Sequence, residues 1–139
     1  MLRVLFICKH NRFRSKVAEA LFKKYIKDKI KNKSIIAESA GIKLDEKRPY
    51  VAPNVKKALK KFGVKKVDNT PRKVTKFQLK RADLIITVAN DIKLKIRGKK
   101  IVRWKISDVT QKDYNGILKR AKRIDKLVKK LARKLNNNT

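Results

Sequence analysis

The chain has 139 residues, and 42 Lys+Arg against 11 Asp+Glu give a formal net charge of +31. That length suits one domain with an ordinary hydrophobic core, and 42% apolar residues are too many for a disordered chain. A single cysteine, Cys8, excludes an internal disulfide, zinc-ligand spacing is absent, and no apolar run nears the ~20 residues of a membrane span.

No signal-type apolar segment follows Met1, so a cytoplasmic protein is expected. Only Glu19, Glu38 and Glu46 accompany the many lysines, so the balanced ion-pair networks of heat-adapted proteins do not account for the charge. Such a surface attracts polyanions, nucleic acid among them, without specifying which.

In chain order, Val4-Leu5-Phe6-Ile7 is a continuous apolar run and predicts a strand buried on both faces. From Lys16 the period becomes helical, with Val17, Leu21 and Tyr25 in one stripe continued by Ile26 and Ile30. Ile35-Ile36-Ala37 predicts a second strand, punctuated by Gly41. Pro53 to Phe62 predicts a helix with Pro in its first turn and Gly63 past its end. Thr75 and Gln78 have capping-box spacing for a short helix. Leu84 to Val88 is the third strand, and Asn90 is expected to cap a short helix ending near Gly98. Ile101 to Trp104 is the fourth strand.

The last helix is expected from about Ile117 to Leu135, its apolar residues spaced by four and three. Its opposite face carries nine basic residues between Lys119 and Lys134, so packing on a sheet leaves a cationic face outward. Strands alternating with helices predict an α/β domain with one parallel sheet and helices on both faces. The domain is read as residues 1–135, with residues 136–139 as a disordered tail.

Between strand 1 and the first helix stands Cys8-Lys9-His10-Asn11-Arg12-Phe13-Arg14-Ser15. A loop entering a helix at the carboxyl end of a parallel strand offers free N–H groups and the positive end of the helix dipole. The Cys-x5-Arg spacing lets such a loop curl once around a tetrahedral oxyanion, with sulfur beneath and a guanidinium closing on two oxygens. Lys9, Arg12, Arg14 and the helix dipole favour the ionised thiol, the nucleophilic form. A Ser15 hydroxyl turned into the loop would support it further.

These residues, with Val4 to Ile7 before them and Ala18-Glu19 after, resemble the signature of the low-molecular-weight protein tyrosine phosphatase family, which includes thioredoxin-coupled arsenate reductases. Glu38-Ser39-Ala40-Gly41 resembles the family's Ser-Ala-Gly turn, Ala82 to Thr87 its third strand, and Ser107-Asp108 its general-acid loop. The resemblance implies a four-stranded parallel sheet in order 2-1-3-4 and a phosphocysteine mechanism. By it, Cys8 is the nucleophile, Arg14 and the amides of residues 9 to 15 hold the phosphoryl oxygens, and Asn11 and Ser15 steady loop and thiolate. Lys9, His10, Arg12 and Phe13 complete the phosphate-binding loop. Of the acids after strands 3 and 4, namely Asp91, Asp108 and Asp113, the resemblance selects Asp108 as general acid, with Asp113 the fallback. No metal or cofactor is implied.

Several positions depart from the family pattern. His10 stands where Gly is usual, and either reshapes the loop or lines its mouth; His tolerates positive φ better than most residues. Phe13 replaces a small or sulfur-bearing residue. Val109 follows Asp108 where Pro is usual, and Thr110-Gln111 replace an aromatic pair, leaving Tyr50 or Trp104 as substitute walls. The arsenate reductase branch passes electrons through two further cysteines, which this chain lacks, so an internal thiol relay is excluded and an external thiol is not. The leading expectation is a metal-independent, cysteine-dependent phosphomonoester hydrolase, a protein tyrosine phosphatase in the first place, whose partner is a phosphorylated protein or a small phosphomonoester. The alternative is a basic nucleic-acid-associated module whose loop binds phosphate without catalysis.

Overall fold

The apolar runs form the strands of one sheet in the computed structural model, which describes residues 1–31 and 34–137. Strands β1 (Leu2–Cys8), β2 (Ile35–Gly41), β3 (Leu84–Val88) and β4 (Ile101–Trp104) are all parallel, in the order β2-β1-β3-β4. The central strand β1 shows why its sequence is apolar without interruption. Its side chains alternate between two cores, Val4 and Phe6 entering one while Leu5 and Ile7 enter the other.

The larger core lies beneath α1 (Arg14–Tyr25), α2 (Pro53–Lys61) and α4 (Tyr114–Asn137). Val17, Ala18, Leu21 and Phe22 of α1 face Ile117, Ala121, Ile124 and Val128 of α4 within it. The helix after β1 continues into one π-type turn, Ile26–Ile30, and stops at Lys31 with a left-handed φ of 55°. The opposite sheet face is covered by α3 (Lys76–Arg81), whose capping box is formed, and by the strand connection that follows β3.

That connection corrects one expectation. Residues 90–98 are not helical. Ile92, Leu94 and Ile96 alternate with period two and pack on the smaller core, and this pattern outweighs the capping type of Asn90. The end of the chain is also revised. Asp113 accepts a hydrogen bond from the Gly116 amide at 2.9 Å, so α4 starts at Tyr114, earlier than its apolar stripe. It continues through Asn136 and Asn137, assigned above to a tail; residues 138 and 139 lie outside the described residues. Trp104 packs against Phe6 at a centroid distance of 5.8 Å and takes no part in the cavity described next.

Candidate active site

At the carboxyl edge of the sheet, β1 ends opposite Gly41, the last residue of β2. From Cys8 the chain turns through residues 9–13 and enters α1 at Arg14. The carbonyls of Cys8 and Lys9 accept from the amides of Ile42 and Lys43, at 3.1 and 2.9 Å, which fixes the start of the loop against the next segment. Among the described residues, no protein acceptor takes the amides of Lys9 to Ser15. The first turn of α1 contains no acid and has no side-chain cap. A concave array of donors at the positive end of a helix dipole results, an arrangement suited to an oxyanion.

A cavity of about 90 Å³ opens on this array, lined by Cys8, His10, Arg12, Phe13, Arg14, Arg48, Asp108 and Gln111. Cys8 is only 2% exposed and forms the cavity's floor. Its Sγ lies 2.9 Å from Ser15 Oγ. Asn11 Nδ2 donates to that same Oγ at 2.7 Å, leaving the hydroxyl hydrogen for the sulfur. The nearest alternative acceptor, the Ala40 carbonyl, is 3.5 Å away.

Asn11 carries the strain of the loop, with φ of 56°, while His10 has no positive φ. The His-for-Gly exchange therefore falls beside the left-handed residue, not on it. Asn is among the residues that enter this region most readily, and its side chain holds the conformation. Its Oδ1 accepts from the Arg72 amide at 2.9 Å, and its Nδ2 also reaches Ser39 Oγ at 3.0 Å. Ser39 in turn donates to Glu19 at 2.6 Å. The segment bearing Arg72 is tied down by the buried ammonium of Lys16, which contacts the Thr70 carbonyl at 3.0 Å and Asp68 at 3.5 Å. Gly41 lets β2 pass against the loop, because a Cβ there would lie 2.9 Å from His10 C and 3.0 Å from both Asn11 N and Lys9 O.

Arg14 is 2% exposed and held from two sides. Its Nη1 donates to the Ile106 carbonyl at 2.9 Å, and Asp91 faces both amino groups at 3.0 and 3.2 Å. Burial pushes the Asp91 carboxyl upward, but the hydrogen bond and charge of Arg14 outweigh it and hold Asp91 below the usual carboxylate range. Asp108 lines the cavity opposite the loop and is exposed, its Oδ1 accepting from the Val109 amide at 2.9 Å. Asp113, the alternative acid, is engaged as the cap of α4.

The remaining loop residues differ in role. His10 Nδ1 sits 2.7 Å from the Lys43 carbonyl and so carries the proton, while its ring lines the mouth. Phe13 turns into the main core and anchors the loop, and Lys9 is exposed at the rim. The structure thus brings Cys8, Arg14 and Asp108 to one cavity with His10, Arg12 and Phe13, and places Asn11 and Ser15 beneath it. The sequence placed Asp91 among the acids that follow strands 3 and 4 but gave it no role, because its contact with Arg14 joins segments far apart in the chain. The contact of Ser39 with Asn11, and the parts played by Lys16, Arg48 and Arg72, depend on distant segments and were not legible in the sequence.

The sheet order β2-β1-β3-β4 and the donor loop after β1 are a fold shared with solved phosphatases and arsenate reductases. A low molecular weight phosphotyrosine phosphatase from Vibrio cholerae O395 superposes with a TM-score of 0.85 at 21% identity, covering 99% of both chains. The family model for low molecular weight phosphotyrosine protein phosphatase matches residues 3–139, and the chain belongs to that family of cysteine-based phosphatases and arsenate reductases. Similar structures include a low molecular weight protein tyrosine phosphatase from T. tengcongensis, with a TM-score of 0.82 at 25% identity over 96% of this chain and 99% of the other. An arsenate reductase from Archaeoglobus fulgidus DSM 4304 gives 0.77 at 35% identity over 93% and 98%. Arsenate reductase 1 of Bacillus cereus is 34% identical over 92 residues, a match spanning 64% of this chain and 62% of that relative.

Proposed function

We propose that this protein hydrolyses phosphomonoesters through a phosphocysteine intermediate, with phosphotyrosine in proteins as its substrate class. The observation that carries this reading is the Cys8 sulfur at the floor of a cavity bordered by Arg14 and Asp108, with a serine hydroxyl 2.9 Å away. In the first step Cys8 attacks phosphorus in line while the bond to the leaving oxygen breaks. Arg14 and the loop amides hold the three equatorial oxygens, meeting charge where it develops. Ser15 holds its hydroxyl against the sulfur, and Asp108 protonates the leaving oxygen. In the second step water attacks phosphorus, Asp108 takes its proton, and the phosphorus–sulfur bond breaks to release phosphate.

The test is turnover of p-nitrophenyl phosphate in the presence of a metal chelator. Hydrolysis by the wild type and its loss in Cys8→Ser, with vanadate still bound, is the expected result. Binding without turnover in the wild type would remove the catalytic claim.

A second reading is supported by identities of 34% and 35% to two arsenate reductases. Arsenate matches phosphate in shape and charge and would occupy the same donor array. With Cys8 the only cysteine of the chain, an added dithiol would have to supply both electrons. Arsenite formation that depends on such a dithiol would support this reading; phosphatase turnover without it would leave the first alone.

A further inference from the structure

The cationic rim of the cavity exceeds what one phosphoryl group requires. Arg12 is 5% exposed and lines the cavity, yet no carboxylate lies within ion-pair distance of it among the described residues. Its Nε donates to the Tyr50 carbonyl at 2.9 Å, and its guanidinium stands 5.3 Å from the Tyr50 ring centroid. Those contacts fix the plane of the guanidinium and leave its two amino groups without a protein acceptor among the described residues. Arg48 lines the same cavity, and its side chain pairs with Asp45 alone among the described residues, at 2.8 Å. Burial, and then the charge of Arg48, both disfavour the charged form of Arg12, with Asp45, Tyr50 and Asp108 acting in the other sense. A guanidinium does not lose its proton under these conditions, so Arg12 stays a cation with two free amino groups at the cavity.

Gln111 also borders the cavity, where an aromatic wall would offer only a flat apolar face; its Nε2 donates to the Val109 carbonyl at 3.2 Å, so the donors for a second anion come from the arginines. Arg14, committed to Asp91 and Ile106 on one side, belongs to the phosphoryl group. Arg12 and Arg48 stand at the rim.

We propose that Arg12 and Arg48 form a second anion subsite, and that among phosphomonoesters the site favours those with another anionic group, carboxylate or phosphate, close to the one that is cleaved, as in a phosphotyrosine flanked by an acidic side chain. The substrate preference rests on the phosphatase reading, whereas the subsite rests on the cavity alone. Planar guanidinium groups suit both kinds of second anion through paired N–H bonds.

The test uses the full chain and three probes: methylphosphonate, with one anionic group, phosphonoacetate, with an added carboxylate, and methylenebisphosphonate, with an added phosphonate. Affinity is read by calorimetry and p-nitrophenyl phosphate turnover is followed separately. The two dianionic probes are expected to bind at least about tenfold tighter than methylphosphonate, about 1.4 kcal/mol. Arg48→Gln should bring those ratios to within about twofold. Lys126→Gln, the same charge change on the exposed face of α4, should leave them intact.

Preference for only one dianionic probe would assign the kind of second anion and still support the subsite. Ratios near one in the wild type, or ratios equally reduced by Lys126→Gln, would overturn the subsite even if turnover is vigorous. Ratios that respond to Arg48→Gln in a protein without turnover would support the subsite and overturn the phosphatase reading instead.

Discussion

Arg14 meets its anion with a geometry already set by Asp91 and the Ile106 carbonyl. An amide in place of Asp91 keeps one acceptor but loses the charge and turns an N–H toward a guanidinium that is itself all donors. Asp91→Asn is expected to lower kcat/KM for p-nitrophenyl phosphate by about 10²-fold, the scale of a small misplacement of a positioned group. A near-wild-type value would show that Ile106 alone orients Arg14. Asp108 gives a different signature. If it protonates the leaving oxygen, Asp108→Asn should slow phenyl phosphate by about 10²-fold or more and p-nitrophenyl phosphate much less, because the nitrophenolate leaves without help. Equal losses on the two esters would remove Asp108 from that role.

Two elements that meet the same sheet carry opposite expectations. The end of β2 passes the loop so closely that only Gly41 fits, and the atoms a Cβ would strike are backbone. Gly41→Ala should therefore cost about 1–3 kcal/mol of stability by overpacking, and should also depress turnover because the displaced atoms carry the donor array. Helix α3 lies on the other face. Its capping box, Thr75 Oγ1 to the Gln78 amide at 3.0 Å and Gln78 to the Thr75 amide at 3.1 Å, is remote from the cavity. Thr75→Ala should cost about 1 kcal/mol in urea unfolding with kcat unchanged. A matched loss of activity would mean that α3 communicates with the site.

Across the whole molecule, three of the acids, Glu38, Asp68 and Asp91, are placed where cations converge. Glu38 receives Arg81 at 2.7 Å, Gln78 at 2.9 Å and Arg3 at 3.3 Å. Burial raises its carboxyl, but Gln78, Arg81 and Arg3 together hold it below the ordinary glutamate range. Asp68 and Asp91 are lowered in the same way, against burial, by a backbone amide with Lys16 and Arg72 at one and by Arg14 at the other. A group with a depressed folded value contributes fully above its unfolded value and loses that contribution as pH falls through the folded one. Stability in urea should thus be flat near neutrality and fall below about pH 5, and Glu38→Gln should make that fall shallower. An unchanged slope would mean that Glu38 titrates as it does unfolded.

The sequence by itself determined the elements whose period is unambiguous. Continuous apolar runs belong to strands covered on both faces, a four-and-three stripe belongs to a helix laid on a sheet, and Cys-x5-Arg between the two marks the donor loop. It misjudged residues 90–98, where a capping residue type competed with a period-two pattern, and missed the start of α4, where the cap precedes the stripe. Tertiary structure alone decided that Asp91 rather than solvent faces Arg14, that Asn11 and not His10 bears the positive φ, and that Trp104 belongs to the core. Each of these depends on groups far apart in the chain brought within about 3–6 Å, where hydrogen bonds and ring contacts act. Local pattern encodes which face of an element is apolar; it does not encode which distant side chain arrives there.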